Sequence, residues 1–345
     1  MKAAVYHGIG DVRIEEVAEP APGPGEVLVR VALNGICGTD LHEIDDGPRA
    51  VPVAPHPLTG VQAPVILGHE AIGRVAGAGA GVDDLDEGTL VAIEPLVVCG
   101  RCRWCRSGAT HLCERLAFHG LSTGGGGLAE LTVVHRSMLH VVPPGIPEVA
   151  AALTEPLSVA HHAVARSGAG PDSTAVVYGA GPIGIGLFLT LRRLGARALV
   201  VEPSPGRRAV VAALGAEALD PGAGPVDVQV RDVLGGGADI SFDAAGARVT
   251  LASAVSTTRK GGTVVLVASS RQPIELLVGP ILAAELTLVS SWCYRGDFTP
   301  VLEGLAQGAY PVDGWVDTLP LDRLHDALDL LRRGEAVKLL LDPRS

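Results

Sequence analysis

A glycine-rich turn between a predicted strand and a predicted helix constrains the fold of this 345-residue chain more than any other feature. The apolar run 175–178 leads into Gly179-Ala-Gly-Pro-Ile-Gly184, and an amphipathic helix is predicted over 183–194. From about residue 148 onward, further apolar strands alternate with amphipathic helices. Such alternation is typical of a parallel sheet with helices on both faces, so the sequence predicts a doubly wound α/β domain here.

The same turn predicts a dinucleotide site, because it stands between a strand and a helix. Its glycines allow a tight turn and close approach of a pyrophosphate, and the helix N-terminus offers free N–H groups to the phosphates. Glu202 follows the next strand, where a carboxylate accepts hydrogen bonds from ribose hydroxyls and repels a 2′-phosphate. NAD is therefore predicted over NADP, although Arg207 and Arg208 are able to hold an extra phosphate. The predicted cofactor-binding residues are Gly179, Gly181, Pro182, Ile183, Gly184, Glu202 and Arg207.

The first 150 residues have a different pattern, with short β-rich runs between Gly and Pro turns. Strands are predicted over 27–33, 90–93 and 131–134. Near the C-terminus, a helix over 321–333 and a strand over 337–341 have no place in the alternating series. We expect this tail to return to the first domain.

Four cysteines within a short stretch predict a zinc site. Two-residue gaps make awkward disulfides, and the chain has no sign of secretion. Four thiolates complete a tetrahedron around Zn²⁺ and leave no position for a substrate, so this site is predicted to be structural. Arginines alternate with the ligands and are expected to offset the negative charge of the site. The ligands are Cys99, Cys102, Cys105 and Cys113, and the arginines are Arg101, Arg103 and Arg106.

Other donors are available for a second, catalytic zinc, which needs about three protein ligands and an open position. Cys37 follows a strand, and His69 and Glu70 are adjacent. Glu155 precedes Pro156, which is expected to hold it off the helix and to start the next helix. Each donor alone is a weak signal, but beside a dinucleotide fold the set predicts an open metal site.

A second glycine-rich stretch covers residues 124–127. A phosphate-binding loop requires a following Lys and Ser or Thr, which this stretch lacks. We therefore predict a flexible turn that binds no ligand.

Composition excludes some classes of partner. The net charge of −11 argues against nucleic acid, which calls for a basic face. No run of about 18 apolar residues is present to span a bilayer. Met1 leads directly into a strand pattern without a signal-peptide core, so a cytoplasmic location is expected.

These segments, in this order, resemble the zinc-dependent medium-chain alcohol dehydrogenases. The resemblance covers the whole chain and implies a GroES-like catalytic domain of residues 1–153 and 294–345. A structural-zinc lobe at about 95–115 belongs to it, and a Rossmann NAD-binding domain is inserted at 154–293. The markers are Cys37-Gly-Thr-Asp-Leu-His42-Glu43, His56-Pro-Leu-Thr-Gly60, Gly68-His69-Glu70, Glu155-Pro-Leu157 and Cys293-Tyr-Arg295.

Within this family the resemblance points to the 2,3-butanediol and polyol branch, since the ethanol enzymes have a cysteine as third ligand. It implies that Cys37 and His69 bind the catalytic zinc directly. One of Glu70 and Glu155 would complete the site, directly or through water. Thr39 would pass the alcohol proton through the nicotinamide ribose towards His42. The implied cofactors are two Zn²⁺ per chain and NAD.

The implied reaction is hydride transfer between NAD(H) and a secondary alcohol, with a vicinal diol such as 2,3-butanediol as substrate and acetoin as the ketone. Sorbitol or xylitol dehydrogenase activity and L-threonine 3-dehydrogenase activity are alternatives with the same ligands. A catalytically silent NAD(H)-binding zinc protein is the non-enzyme alternative, and it predicts zinc in the cysteine lobe only. Relatives are dimers or tetramers, so a homo-oligomer is expected, and the apolar segment 274–289 fits a paired edge.

Overall fold

The computed structural model of the chain describes residues 1–270 and 273–345. The chain forms two compact units. One consists of Met1–Glu155, Phe298–Gln307 and Val312–Ser345, and the other of Pro156–Asp297 and Gly308–Pro311. Each unit contains buried apolar clusters of its own.

The N-terminal part of the first unit consists mainly of short strands, as the Gly and Pro punctuation predicted. The predicted strands at 27–33, 90–93 and 131–134 are all present within longer or equal elements. The strands are β1 Lys2–Gly8, β2 Asp11–Glu16, β3 Glu26–Gly35, β4 Val65–Ile66, β5 Glu70–Ala78, β6 Leu90–Ile93, β7 Leu96–Val97, β8 Ala117–Phe118, β9 Leu131–His135 and β10 Leu139–Val141. The helices are α1 Gly38–Asp46, α2 Arg103–Arg106 and α3 Glu148–Ala151.

The second unit is the predicted doubly wound domain. Its strands, taken over the described residues, form a parallel sheet in the order β13-β12-β11-β14-β15-β16. Its elements are α4 Thr154–Ser167, β11 Thr174–Tyr178, α5 Pro182–Leu194, β12 Arg197–Val201, α6 Pro205–Ala213, β13 Glu217–Leu219, α7 Val226–Leu234, β14 Ala238–Asp243, α8 Arg248–Thr257, β15 Thr258–Leu266, α9 Val278–Ala283 and β16 Thr287–Ser290. The first two residues of α4 belong to the first unit.

Glu155 differs from the sequence prediction. It lies inside the first turn of α4, whereas Pro156 was expected to hold it off the helix. A proline in the first turn does not interrupt the helix, because the N–H that it lacks has no partner within the helix at that position. Glu155 is therefore held by helical backbone.

The C-terminal tail returns to the first unit, as predicted. Its elements are α10 Phe298–Ala306, β17 Val316–Pro320, α11 Leu324–Arg332 and β18 Lys338–Asp342. Strand β18 pairs antiparallel with β3, so that Leu340 lies opposite Gly35 and Leu341 opposite Asn34. The resulting sheet runs β10-β6-β5-β3-β18-β17, with β9 also paired to β3.

Strand β3 therefore holds a central position in the first unit. It pairs with β5 on one side, with Gly35 opposite Glu70, and it ends two residues before Cys37. This register places the end of β3 beside the beginning of β5. None of the helices within residues 1–270 and 273–345 has both the length and the hydropathy that crossing a bilayer requires.

Candidate metal centres and cofactor cavity

The four cysteines of the lobe converge. Their sulfur atoms all lie within 4.8 Å of one another. The Sγ atoms of Cys102 and Cys105 are 3.5 Å apart, and those of Cys99 and Cys105 are 4.0 Å apart. Four sulfurs at about 2.3 Å from a tetrahedral zinc would be about 3.8 Å apart, a value that lies between these two distances, so the lobe fits Zn²⁺.

Backbone amides surround these sulfurs. The N–H of Cys99 donates to Cys113 Sγ over 3.3 Å, and the N–H of Arg115 donates to the same atom over 3.4 Å. Amide donors from Cys105 and Glu114 lower the pKa of Cys102 to about 6. N–H donors favour the thiolate, which is the form that binds a metal.

A second donor group lies at the junction of β3 and β5. It consists of Cys37, His69 and Glu70, whose ligand atoms also lie within 4.8 Å of one another. His69 and Glu70 are buried, whereas Cys37 is half-buried. Thiolate, imidazole and carboxylate are the donors found in zinc sites that keep a position open. Among the described residues, Glu155 is not part of this close group.

Asp40 orients the ligands of this open site. Its Oδ2 accepts a hydrogen bond from the Cys37 N–H over 2.8 Å, and its Oδ1 lies 3.3 Å from His69 Nδ1. Burial alone lowers the pKa of His69, but Asp40 and Cys37 raise the pKa well above its usual value. With Nδ1 turned to Asp40, Nε2 is the ring nitrogen left for a metal, an arrangement common among histidine ligands.

Lys338 lies beside another of these candidate ligands, Glu70. Its Nζ donates to the carbonyl of Ile36 over 2.9 Å and pairs with the Glu70 carboxylate. Both side chains are almost fully buried, at 1% exposure for Lys338 and 2% for Glu70. A cation therefore already faces one oxygen of this candidate ligand.

Sequence reasoning missed both Asp40 and Lys338. The signal for Lys338 was present, because it interrupts an apolar strand next to Leu339, and lysine is rarely buried unless it is paired. Asp40 lies within the motif that follows Cys37 but was not assigned a role. Its contact with His69 becomes visible only when β3 and β5 are brought together.

Thr39 and His42 are near the open site on helix α1. Thr39 Oγ1 is 3.6 Å from Cys37 Sγ. His42 follows three residues later and so lies on the same face of the helix. Both side chains are half-buried. A hydroxyl beside the ligand and an imidazole one turn away can together move a proton.

The second unit contains a cavity of about 650 Å³ at the carboxyl ends of its strands. Among its lining residues are Gly179, Gly181, Glu202 and Arg207. Pro182, Ile183 and Gly184 form the first turn of helix α5 beyond it. Gly179 has φ +101°, and a Cβ on Gly184 would lie 1.9 Å from the Gly179 carbonyl oxygen. Both positions therefore require glycine.

Glu202 is buried, and both of its carboxylate oxygens accept backbone hydrogen bonds. Oε2 accepts from Ala180 N–H over 2.8 Å, and Oε1 accepts from Ser204 N–H over 2.9 Å. Arg208 is tied to the carbonyls of Glu202 and Pro203 and to Asp220. Of the two arginines singled out in the sequence, only Arg207 lines the cavity.

The far wall of this cavity was not foreseen from the sequence. Asp243 ends β14, and its Oδ1 accepts from the N–H groups of Ala245 and Gly246 and from the Thr250 hydroxyl. Ala244, Ala245 and Thr250 line the cavity. A buried acidic residue at a strand end, followed by Ala-Ala-Gly, was the available signal.

Two protein-family models match the chain, each over a different segment. Residues 23–144 match the alcohol dehydrogenase GroES-like domain, and residues 182–307 match the zinc-binding dehydrogenase domain. The chain is 35% identical to the (R,R)-butanediol dehydrogenase of Neisseria gonorrhoeae, with 99% of each chain covered. It is 31% identical to the sorbitol dehydrogenase of Bacillus subtilis, covering 99% of this chain and 97% of that one.

Solved structures give the same result. The crystal structure of 2R,3R-butanediol dehydrogenase from Bacillus subtilis superposes with a TM-score of 0.94 at 36% identity, covering 99% of both chains. An alcohol dehydrogenase from Escherichia coli CFT073, complexed with the cofactor NADH, superposes with a TM-score of 0.89 at 27% identity, covering 99% of both chains. The chain belongs to the zinc-containing medium-chain alcohol dehydrogenase family, close to its butanediol and polyol branch.

Proposed function

We propose that the protein transfers a hydride between NAD(H) and a secondary alcohol, with 2,3-butanediol and acetoin as the alcohol and ketone. The observation that carries the proposal is the group formed by Cys37, His69 and Glu70, which fits an open zinc site. The chain is also similar over its whole length to a butanediol dehydrogenase. The alternative substrates are sorbitol and xylitol, which the sorbitol dehydrogenase relative favours. L-Threonine is a further alternative substrate.

Cys37 and His69 would hold the catalytic zinc, and one of Glu70 and Glu155 would complete its ligands. When bound, zinc supplies Lewis acidity that lowers the pKa of an alcohol, and NAD⁺ supplies the hydride acceptor. Asp40 keeps the His69 ring in one orientation. Lys338 balances the charge of Glu70 and holds one of its oxygens. The other Glu70 oxygen remains available, so Glu70 can bind directly or through water.

The proton of the alcohol leaves through Thr39 and His42 in this proposal. Thr39 Oγ1 is beside Cys37 Sγ, and His42 carries the proton onward from the next turn of α1. His42→Ala should slow alcohol oxidation most at low pH, where hydroxide is scarce. An unchanged pH profile of kcat would remove His42 from this path.

The cofactor site is proposed to be the cavity of the second unit. The glycine turn would take the pyrophosphate, and Glu202 would take the adenosine ribose. Arg207 is the residue able to bind a 2′-phosphate, since Arg208 is already committed to Asp220 and two carbonyls. Glu202 sets the preference for NAD. Because Arg207 would contact only the 2′-phosphate of NADP, Arg207→Ala should lower kcat/KM for NADP more than kcat/KM for NAD.

The experiment that tests the function combines metal content with turnover. Zinc is counted per chain, and NAD⁺-dependent oxidation is measured in parallel on the butanediol stereoisomers, sorbitol, xylitol and threonine. Two zinc ions and highest kcat/KM on a butanediol isomer are expected. Higher kcat/KM on sorbitol or xylitol assigns the polyol reaction instead. One zinc ion and no turnover identify a silent NAD(H)-binding zinc protein.

Residues 1–153 and 294–345 are proposed as the catalytic domain, with residues 95–115 as its structural-zinc lobe, and residues 154–293 as the cofactor domain. The compact units support these boundaries to within a few residues, except that Gly308–Pro311 groups with the second unit. The protein is further proposed to act in the cytoplasm. No cysteine of the described residues forms a disulfide, and thiolate ligands suit a reducing compartment.

The sheet edge of the second unit is proposed to pack against a second copy of the chain. Strand β16 ends the parallel sheet, and an edge strand carries unpaired N–H and C=O groups. Apolar side chains around it are exposed, namely Leu277, Val278, Leu282, Leu288 and Trp292. Leu288→Lys should lower the molar mass measured by light scattering, whereas Val228→Lys, at another exposed apolar position, should not.

A further inference from the structure

The glycine-rich stretch of residues 124–127, here called the glycine strap, is tightly packed rather than a flexible turn. The N–H of Gly127 donates to the Gly68 carbonyl over 2.8 Å, and the N–H of Leu128 donates to the Leu67 carbonyl over 2.9 Å. The strap therefore lies directly against the turn that precedes His69. The prediction of a flexible turn is therefore wrong. The lack of a phosphate-binding signature does not indicate whether the backbone is packed against other parts of the chain.

Glycine is required at two positions of this strap, Gly126 and Gly127, because no space exists there for a side chain. A Cβ on Gly126 would lie 2.3 Å from the Leu67 carbonyl oxygen and 2.5 Å from that of Ile66. A Cβ on Gly127 would lie 2.2 Å from Asn34 Oδ1. Gly124 differs, since a Cβ there would meet nothing within 4 Å.

His119 lies against the strap beside Gly125, where a Cβ would be 3.0 Å from its Cε1 atom. It is buried at 3% exposure, and its Nε2 is 2.8 Å from Thr132 Oγ1 while its Nδ1 is 3.2 Å from Thr123 Oγ1. Thr123 in turn donates to the Gly125 carbonyl over 3.0 Å. A neutral imidazole, with one donor and one acceptor nitrogen, satisfies both threonines.

Gly120, which follows His119, closes the chain of contacts. Its N–H donates to the Gly125 carbonyl over 2.9 Å. Its Cα is so close to Gly68 that a Cβ would lie 1.9 Å from the Gly68 carbonyl oxygen. The backbone of Gly68 is thus enclosed by Gly120 on one side and by the strap on the other.

We propose that the glycine strap and His119 are positioning elements for His69, which fix the turn at Gly68 so that the imidazole keeps its place opposite Cys37. The inference rests on the proposed function, in which Cys37 and His69 hold the catalytic zinc. Neither the strap nor His119 touches the reacting atoms. Their effect is exerted through the rigidity of the Leu67–His69 backbone, since misplacing a ligand weakens metal binding.

Cobalt binding to the full-length chain tests the proposal. The metal-free protein is titrated with Co²⁺, and absorption bands distinguish the open site with one thiolate from the lobe with four. Gly126→Ala should weaken binding at the open site about tenfold or more and leave the lobe unchanged. Gly124→Ala is the matched control, one added methyl group in the same strap, and should bind as the wild type does.

His119→Phe is a second variant, and it adds no atom beside Gly68. It tests the proposed positioning of His69 if Gly126→Ala fails to fold. It removes both hydrogen bonds to threonine and should weaken Co²⁺ binding at the open site by about threefold to tenfold. The proposal would be overturned if folded Gly126→Ala bound Co²⁺ with the affinity and spectrum of the wild type. If Gly126→Ala does not fold, the same result for His119→Phe would overturn it. A wild-type chain that binds metal only in the lobe would instead overturn the proposed function.

Discussion

The two candidate metal centres collect their ligands in different ways. The lobe takes four cysteines from the stretch between Cys99 and Cys113, so its geometry is set by local chain. The open centre takes Cys37 from just after β3, and His69 and Glu70 from the point where β5 begins. It therefore exists only once the sheet of the first unit has formed.

The groups that surround the two centres also differ, being local backbone in one and distant side chains in the other. Backbone N–H groups face the sulfurs of the lobe, with donors from Cys99, Arg115 and Cys105. Charged side chains surround the open centre, with Asp40 against His69 and Lys338 against Glu70. The sulfurs of the lobe are thus contacted by nearby backbone, whereas His69 and Glu70 of the open centre each face a charged side chain from a distant part of the sequence.

Removing the open-centre thiolate should have the largest effect. Cys37→Ala should abolish turnover and reduce bound zinc from two ions per chain to one, because the remaining donors hold zinc poorly. NADH binding should persist, since the cofactor cavity is built by other residues. Zinc analysis and NADH fluorescence measure both outcomes. Cys293→Ala, a thiol outside both centres, should keep two zinc ions, and normal turnover of Cys37→Ala would refute the distinction between the centres.

Breaking the buried ion pair should have the next largest effect. Lys338→Met leaves Glu70 buried without its cation, which we expect to lower the free energy of unfolding of the metal-free protein by about 3–5 kcal/mol. The double variant Glu70→Gln/Lys338→Met should recover most of this loss, because no unpaired charge remains. Urea unfolding provides the measurement, and Lys2→Met, which breaks an exposed pair, is the control. Equal losses in the single and double variants would contradict charge balance as the reason for Lys338.

A pH effect should follow from His119 behind the open centre. Burial lowers the pKa of His119 to about 4, so the unfolded chain binds a proton more readily than the folded one below about pH 6.5. The stabilisation is fully present above pH 6.5 and is lost as the pH falls towards 4, by about 3 kcal/mol in total. His119→Gln should lack this part of the pH dependence of urea unfolding. A variant that loses stability with acid as steeply as the wild type would show that His119 is not the group responsible.

Much of this architecture could be predicted from the sequence, because its signals are local. The Gly179–Gly184 turn and the four cysteines each reveal their role within a few neighbouring residues. The contacts of Asp40 with His69, of Lys338 with Glu70 and of His119 with Thr132 are not local, since each joins separate segments of the first unit. Glu155 shows a further limit, because Pro156 is compatible with either the end or the first turn of a helix.

The arginines of the lobe should have the smallest effect. The sequence suggested that they offset the thiolate charge, but the Arg103 guanidinium lies 4.3 Å from the centre of the Trp104 ring, and Arg106 Nε donates to the Arg101 carbonyl. Since backbone amides already face the sulfurs, we expect the triple Gln variant of Arg101, Arg103 and Arg106 to retain zinc within about twofold of the wild type. Competition with a zinc chelator measures this retention. A large loss would mean that the lobe, like the open centre, depends on charged side chains, and the contrast between local and assembled metal sites would no longer hold.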